Sequence, residues 1–489
     1  CRLQTKENEE RRIRRTEDER TRSSKTKDTP LFCQDLSCGT WYLRRPLKII
    51  SSITACDCAM TSETSAAAGQ QAVLDKLTSE RNRILDEWAD SKSLGEEEVA
   101  LNEYQREHLK CLFGETGFNP PVPPRNPISV SMHNPRFGAA LWAINTEAYR
   151  RKGTLSRGQK EVIALGVSLS NECPHCAFIH TAMGPASGND VTFGELRKFY
   201  QTRDADVAFP LAGDRQKDHI NNKFAAWSMN HRAGNRQSVP CTGEETPEVL
   251  GTVMLFDILN RVVDAFVSRT ESGPMFPLPV RMMMKAKPMT SAVQRMTSWM
   301  MSWLMHGEDA KIEAGKVLRE INEITPIIKG FPGAEEAPPL KLPEEFAWAA
   351  FGDDGDGGNG TIATAFAFLA AEADLLARSF VPPAVRKYTE SWVSTWDGRI
   401  APEGALESWL DPAVTASGFD EGKKGDVAML RLMLVTIVAS RSTNDNLLSA
   451  CQQEIHGFRG THAAVLWSAF LAARRSCQLA VTGGRRLSE

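Results

Sequence analysis

From Leu74 onward, apolar residues recur at three- and four-residue steps and alternating runs are scarce, a pattern that restricts the chain to packed helices. The periodicity predicts helices over Gln71–Asp90, Glu98–Leu112, Pro135–Arg151, Arg157–Leu169, Cys173–Met183, Phe193–Thr202, His219–Arg232 and Pro247–Ser268. Further helices are expected at Ser291–Leu304, Asp309–Ile324, Ile362–Phe380, Ala384–Trp396, Val427–Ser440, Leu447–Ile455 and Ala463–Arg475. Pro120, Pro121, Pro123 and Pro124 break the first group. The proline-rich Gly333–Pro343 and the run Phe351–Gly360 (FGDDGDGGNG) mark a boundary between two halves. At 489 residues the chain exceeds what one compact core serves. The expectation is therefore an all-α protein of two tandem lobes. Residues 60–100 form an N-terminal linker and helix, 101–332 a first lobe, 333–361 a linker and 362–485 a second lobe.

Residues 1–59 look foreign to the rest. Lys6–Asp28 mixes basic and acidic residues with almost nothing apolar, so it has no means to offset the entropy of ordering. Transit peptides are poor in acids, and this stretch is not. The first methionine is Met60, and residues 1–59 read as disordered or as upstream sequence in a conceptual translation. The rival is a metal-binding tail through Cys33, Cys38, Cys56 and Cys58, whose spacings match no common zinc pattern.

A formal net charge of -3 argues against a nucleic-acid partner. No apolar run reaches bilayer length: Val249–Val267 is broken by Asp257, Asn260, Arg261 and Asp264, and Val427–Ala439 contains Arg431. Eleven cysteines in so long a chain are not a disulfide scaffold, and only Cys173 and Cys176 share a C-x-x-C spacing. That distribution suits the cytoplasm or another reducing intracellular compartment.

That pair carries the chemistry. Leu155–Gly184 reads LSRGQKEVIALGVSLSNECPHCAFIHTAMG, with skeleton E-x11-C-x-H-C-x3-H. Ser170 and Asn171 are stop and cap residues and Pro174 suits a first helical turn, so the chain goes helix, tight break, helix. Cys173 then sits at a helix start, where the dipole and unpaired N–H groups favour a thiolate. Cys176 and His180 are one turn apart on a shared face, so His180 can take a proton from Cys176. Glu161, on the preceding helix, can reach Cys173 directly or through a water if the helices fold together. His175 points to another face and is a second candidate proton carrier.

These residues resemble the alkylhydroperoxidase D-like branch of the carboxymuconolactone decarboxylase family. Its signature is a glutamate, a C-x-x-C and a following histidine, matched here by Glu161, Cys173, Cys176 and His180. His175 matches the histidine between the cysteines in the founding peroxidases. A looser likeness to long, two-part members rests on FDILNRVVDAF (Phe256–Phe266), STWDG (Ser394–Gly398), MLRLMLVTIVAS (Met429–Ser440) and WSAFLAARR (Trp467–Arg475). The resemblance implies an all-α alkylhydroperoxidase D-like fold and hydroperoxide reduction through a Cys-x-x-Cys disulfide cycle. By the same resemblance Cys176 attacks peroxide, Cys173 protonates the leaving group and then resolves, and Glu161 and His180 relay protons. Helix position alone favours Cys173 as the nucleophile. The family's decarboxylases lack this dithiol, so decarboxylation is disfavoured.

The implied partners are a hydroperoxide and a thiol electron donor of lipoamide, thioredoxin or glutathione type, with no tightly bound cofactor. A homo-oligomer stays open. Two other functions compete: a protein disulfide reductase, and a non-enzymatic scaffold that senses redox state. Zinc is disfavoured, since four ligands within eight residues on diverging faces do not make a tetrahedron. His108, His133, His219, His231, His306, His456 and His462 have no partner spacing and read as surface or core residues. The methionine-rich run from Met282 to Met305 reads as core packing, with Arg281, Lys285 and Lys287 leaving an amphipathic interface open.

An internal repeat appears when Glu161–Cys176 is aligned with Arg431–Asn446. Apolar positions coincide and Ser170 meets Ser440, while Glu161 meets Arg431, Cys173 meets Thr443 and Cys176 meets Asn446. A chance likeness of two buried helices is the alternative. A true duplication makes the second lobe a degenerate repeat without the chemistry.

Overall fold

The computed structural model describes residues 96–113, 130–131, 133–183, 191–209, 216–231, 239–241, 243–267, 312–325, 340–351, 360–401, 406–419, 423–454 and 457–482. The chain divides into two units, Cys1–Val73 and Leu74–Glu489, and every described residue lies in the second. The N-terminal tail with its cysteines, the helices expected at Gln71–Asp90 and Ser291–Leu304, the proline cluster at 120–124 and the methionine-rich run fall outside the described residues.

Among the described residues there are helices and no strands, the all-α fold that the periodicity predicts. In chain order these are α1 (Glu96–Phe113), α2 (Pro135–Ile144), a π-helical turn (Asn145–Arg150), α3 (Arg157–Ser170), α4 (Pro174–Met183) and α5 (Phe193–Thr202). Then come α6 (Ala205–Ala208), α7 (Gln216–Met229), α8 (Thr246–Phe266), α9 (Lys316–Ile324) and a 3-10 turn (Glu344–Ala350). The C-terminal part holds α10 (Gly360–Phe380), α11 (Pro383–Thr395), α12 (Leu406–Ala416) and α13 (Lys424–Ala439). A 3-10 turn (Ser440–Ser442), α14 (Asp445–Glu454) and α15 (Phe458–Val481) complete it.

The centre is a pair of long helices, α8 and α15, packed on each other and buried around most of their circumference. The two sides of this pair are built alike. On one side α3 lies on α8 and α4 lies on α3; on the other, α13 lies on α15 and α14 lies on α13. A further contact joins α2 to α10. One continuous apolar cluster runs through both halves, from Leu101 to Ala480. The segment expected as a linker contributes to it: Phe346 and Trp348 of the 3-10 turn are buried, with ring centroids 5.6 and 5.0 Å from Phe366 of α10.

Helix α10 is long and apolar enough to cross a membrane by length and composition, which the shorter or more charged runs at Val249–Val267 and Val427–Ala439 are not. Its inward face packs Ile362, Ala365, Phe366, Phe368, Leu369 and Ala373 into the core, and its Glu372 takes two bonds from Arg136 of α2 at 3.0 and 2.8 Å. Those contacts make it a core helix of this fold.

Two features fix α3, which carries the site. At its start, Ser156 and Gln159 form a reciprocal capping box with N···O distances of 3.2 and 2.8 Å. The loop before it is clamped to α8. Glu248 accepts from the Thr154 amide at 2.6 Å and pairs with the buried Lys160, which donates to the Arg151 carbonyl at 2.9 Å. Along its length, Gly166 faces Ser228 of α7 so closely that a Cβ there collides with the serine side chain. Glycine is therefore what lets α7 seat on α3.

Candidate active site

The break between α3 and α4 is a Schellman turn. Asn171 caps α3, the Glu172 amide bonds to the Leu169 carbonyl at 3.2 Å and the Cys173 amide to the Ser168 carbonyl at 2.9 Å. The left-handed position falls on Glu172 (φ 55°), where glycine or asparagine is usual, at a cost of about 1 kcal/mol or more. Asn171, the expected cap, also anchors the turn to α8 through a 2.8 Å bond to Asp257. Cys173 leaves the turn and opens α4: its carbonyl accepts from the Ala177 amide at 3.0 Å, and Pro174 takes the first helical position. Both thiols are free and buried, Cys173 1% and Cys176 5% exposed.

Glu161 is the electrostatic centre. It is fully buried in α3, and its Oε1 accepts from the Tyr149 hydroxyl at 2.7 Å and from Arg157 Nε at 3.0 Å. Its Oε2 lies 2.9 Å from His180 Nδ1 on α4. Burial alone pushes the carboxyl pKa up. The Arg157 guanidinium, His180 and the Tyr149 hydroxyl together outweigh it and hold the group below its ordinary value, so Glu161 is a fixed anion. An acceptor at Nδ1 places the imidazole proton there and leaves Nε2 as the basic nitrogen. The Glu161 carboxylate bonds directly to Tyr149, Arg157 and His180.

Tyr149 and Arg157 were not among the expected site residues. Arg157 stands one turn before Glu161, a spacing that does flag an ion pair, and it also lies over the Tyr149 ring at 3.8 Å. Tyr149 carries no such signal, because the π-helical turn that aims it is unreadable in the sequence. Phe256 of α8 completes the wall, edge-on to His180 with centroids 4.3 Å apart and to Tyr149 at 4.7 Å.

The two cysteines differ. Burial raises the Cys173 thiol pKa well above its ordinary value, and the neighbouring Cys176 and the Asp264 charge raise it further, against the pull of the Cys176 backbone amide. The helix start does favour a Cys173 thiolate, as expected, but burial wins, and Cys173 is a proton-bearing thiol. Cys176 stands one turn before His180 on α4. His175 is buried with neither ring nitrogen bonded to a described residue, and burial together with His180 lowers its pKa to about 4. It is neutral near pH 7, which limits it as a proton carrier.

On the other side of the molecule, α13, the Ser440–Ser442 turn and α14 repeat the helix–break–helix path. Thr443, opposite Cys173 in the alignment, is buried, Asn446, opposite Cys176, is exposed, and Arg431, opposite Glu161, pairs with Asp411 at 2.6 Å. Among the remaining histidines, His231 and His462 are buried core residues. His231 contacts the Ser228 carbonyl at 2.7 Å and His462 contacts Asn134 at 2.6 Å. Among the described residues no group of three or more metal-ligating side chains is placed to hold an ion.

Two comparisons with known proteins give matches. Residues 135–212, which contain Tyr149, Glu161, both cysteines and both site histidines, match the carboxymuconolactone decarboxylase family. The chain is also 26% identical over 353 residues to alkyl hydroperoxide reductase Rv2159c of Mycobacterium tuberculosis, covering 72% of this chain and 85% of that protein. No solved structure gives a significant match. Residues 135–212 are thus similar to the carboxymuconolactone decarboxylase family, and most of the chain to one alkyl hydroperoxide reductase.

Proposed function

We propose that the protein is a thiol-dependent peroxidase that reduces hydroperoxides through a Cys173–Cys176 disulfide cycle. The observation that carries the reading is the Glu161–His180 pair, 2.9 Å apart and buried, one helical turn from Cys176. With Nδ1 tied to Glu161, His180 accepts the Cys176 proton at Nε2, and the imidazolium is stabilised by the anion behind it. The Cys176 thiolate attacks the outer peroxide oxygen and the O–O bond breaks. Cys173 gives its proton to the departing alkoxide, leaving an alcohol, a Cys176 sulfenic acid and a Cys173 thiolate. That thiolate attacks the sulfenic sulfur. The S–S bond forms, the S–O bond breaks, and His180 protonates the hydroxide to water. Two thiols and one hydroperoxide become a disulfide, an alcohol and water, and a thiol donor returns two electrons for the next cycle.

Burial of both sulfurs favours a small substrate over a folded protein, which supports the peroxidase over a protein disulfide reductase. The same burial favours a slender dithiol donor of lipoamide type, or glutathione, over thioredoxin. A reducing intracellular compartment would supply such a donor. The test is peptide mapping after one equivalent of hydroperoxide. A Cys173–Cys176 disulfide that dithiothreitol reverses is expected, and unmodified thiols at both positions would sink the proposal.

A further inference from the structure

Tyr149 reaches Glu161 from the π-helical turn between α2 and α3, and that turn is gripped from three sides. Its closing bond is the wide one of a π-helix, from the Arg151 amide to the Thr146 carbonyl at 2.8 Å. From α3, Arg157 donates to the Tyr149 carbonyl at 3.2 Å and Lys160 to the Arg151 carbonyl at 2.9 Å. From α8, Gly251 lies so near Ala148 that a Cβ there collides with the alanine methyl. The third grip comes from far along the chain. Glu147 is buried, and its Oε1 accepts from the Gly315 amide, just before α9, at 2.9 Å. Its Oε2 accepts from the Thr361 hydroxyl, at the start of α10, at 2.7 Å and meets Arg151 Nε at 3.2 Å.

We propose that Glu147 is a positioning residue for the site: tied to Gly315 and Thr361, it sets the rotation of the π-helical turn and so aims the Tyr149 hydroxyl at Glu161. The placement of Tyr149 does not depend on the peroxidase reading; its effect on a rate rests on that reading. Residues two apart on a helical turn do not share a face. Glu147 therefore points to α9 and α10 while Tyr149 points to the Glu161–His180 pair. Outside the turn every step of the path is a bond: Thr361 to Glu147 at 2.7 Å, Tyr149 to Glu161 at 2.7 Å, Glu161 to His180 at 2.9 Å. Inside it the path is two residues of backbone. Arg157 and Lys160 fix the carbonyls at the end of the turn, and Glu147 is the side chain that fixes its first half. A carboxylate is a poor choice for simply joining helices. Burial raises the Glu147 pKa, and Thr361, Arg151 and Gly315 pull it back only in part. Well-packed apolar residues would join the same elements with no such penalty. What the carboxylate adds is direction, because each oxygen is fixed by the donor it faces.

The test is NMR of the full chain labelled with 13Cζ-tyrosine, whose signal reports the hydrogen bond made by the phenol oxygen. Tyr149 is assigned through Tyr149→Phe, and Tyr388, bonded to the Ala413 carbonyl, is the internal control. Thr361→Val keeps the side-chain shape and removes the hydroxyl. It is expected to move the Tyr149 signal toward that of an unbonded tyrosine and to leave Tyr388 in place. Thr361→Ser keeps the hydroxyl and is expected to keep the wild-type signal. Glu147→Gln exchanges one acceptor oxygen for a donor, should act in the same direction as Thr361→Val, and decides if Thr361→Val does not fold. In hydroperoxide reduction Thr361→Val should lower kcat about tenfold with KM unchanged, the mark of a displaced group, and Thr361→Ser should not. A moved Tyr149 signal together with a wild-type chain inert to hydroperoxide supports the clamp and sinks the peroxidase reading. A Tyr149 signal that stays put, one that moves no more than Tyr388, or a slower rate with an unmoved signal overturns the proposal. So does a moved signal with an unchanged rate in a chain that turns over.

Discussion

The α3–α4 and α13–α14 regions follow the same path on the two sides of the α8–α15 pair, yet only the first is loaded with buried polar chemistry. At α3 the position of Glu161 is desolvated and surrounded by Arg157, Tyr149 and His180. At α13 the aligned position is Arg431, partly exposed and paired with Asp411. The first break is a Schellman turn through a left-handed glutamate that leaves a thiol at the start of α4. The second is a short 3-10 turn that leaves Thr443, its hydroxyl buried and unbonded among described residues. The shared architecture follows from apolar periodicity. The chemistry follows from five or six polar residues that the architecture has to shelter, and a buried anion is tolerable only where donors surround it.

This comparison is broken most severely by taking the shelter away on the active side. Glu161→Gln and His180→Ala should each slow hydroperoxide reduction by about 10²–10⁴-fold, the usual loss for a positioned acid or base, while thermal unfolding shows that both variants fold. Stopped-flow rates equal to wild type for both variants would remove Glu161 and His180 from the mechanism. The corresponding change on the other side, Arg431→Gln, removes a partly exposed ion pair and should leave the rate untouched.

A smaller effect concerns His175. Its pKa falls from the ordinary 6.5 to about 4 on folding. Between those values the unfolded chain binds a proton that the folded chain refuses, so stability rises with pH across that window and is lost as pH falls toward 4. The full difference is on the order of 3 kcal/mol. His175→Gln should flatten the acid limb of urea unfolding midpoints between pH 6.5 and 4. A limb of unchanged steepness would show that His175 is not buried as a neutral ring.

The sequence reading and the structure part company at identifiable places. Strongly periodic helices were legible: Phe193–Thr202 was expected with the bounds observed, and Arg157–Leu169 ends one residue short of Ser170. Leu406–Ala416 was not expected, because Pro412 lies inside it and argues against a helix. The helix expected to begin at Asp309 begins at Lys316, after Gly315 in a left-handed conformation (φ 69°). In the site, Glu161, Cys173, Cys176 and His180 were visible because their spacing is local. Tyr149 needed the π-helical turn. At Cys173 the helix-start effect is readable from sequence, whereas the burial that opposes it is not.

The most direct measurement of the central claim is single-turnover consumption of a hydroperoxide by stopped flow, comparing Cys173→Ser/Cys176→Ser with Thr443→Ala/Asn446→Ala. The account predicts no burst of consumption from the first pair of substitutions and a wild-type burst, one equivalent per chain, from the second. A burst that survives loss of both cysteines, or that disappears with Thr443 and Asn446 in a chain that still folds, would contradict it.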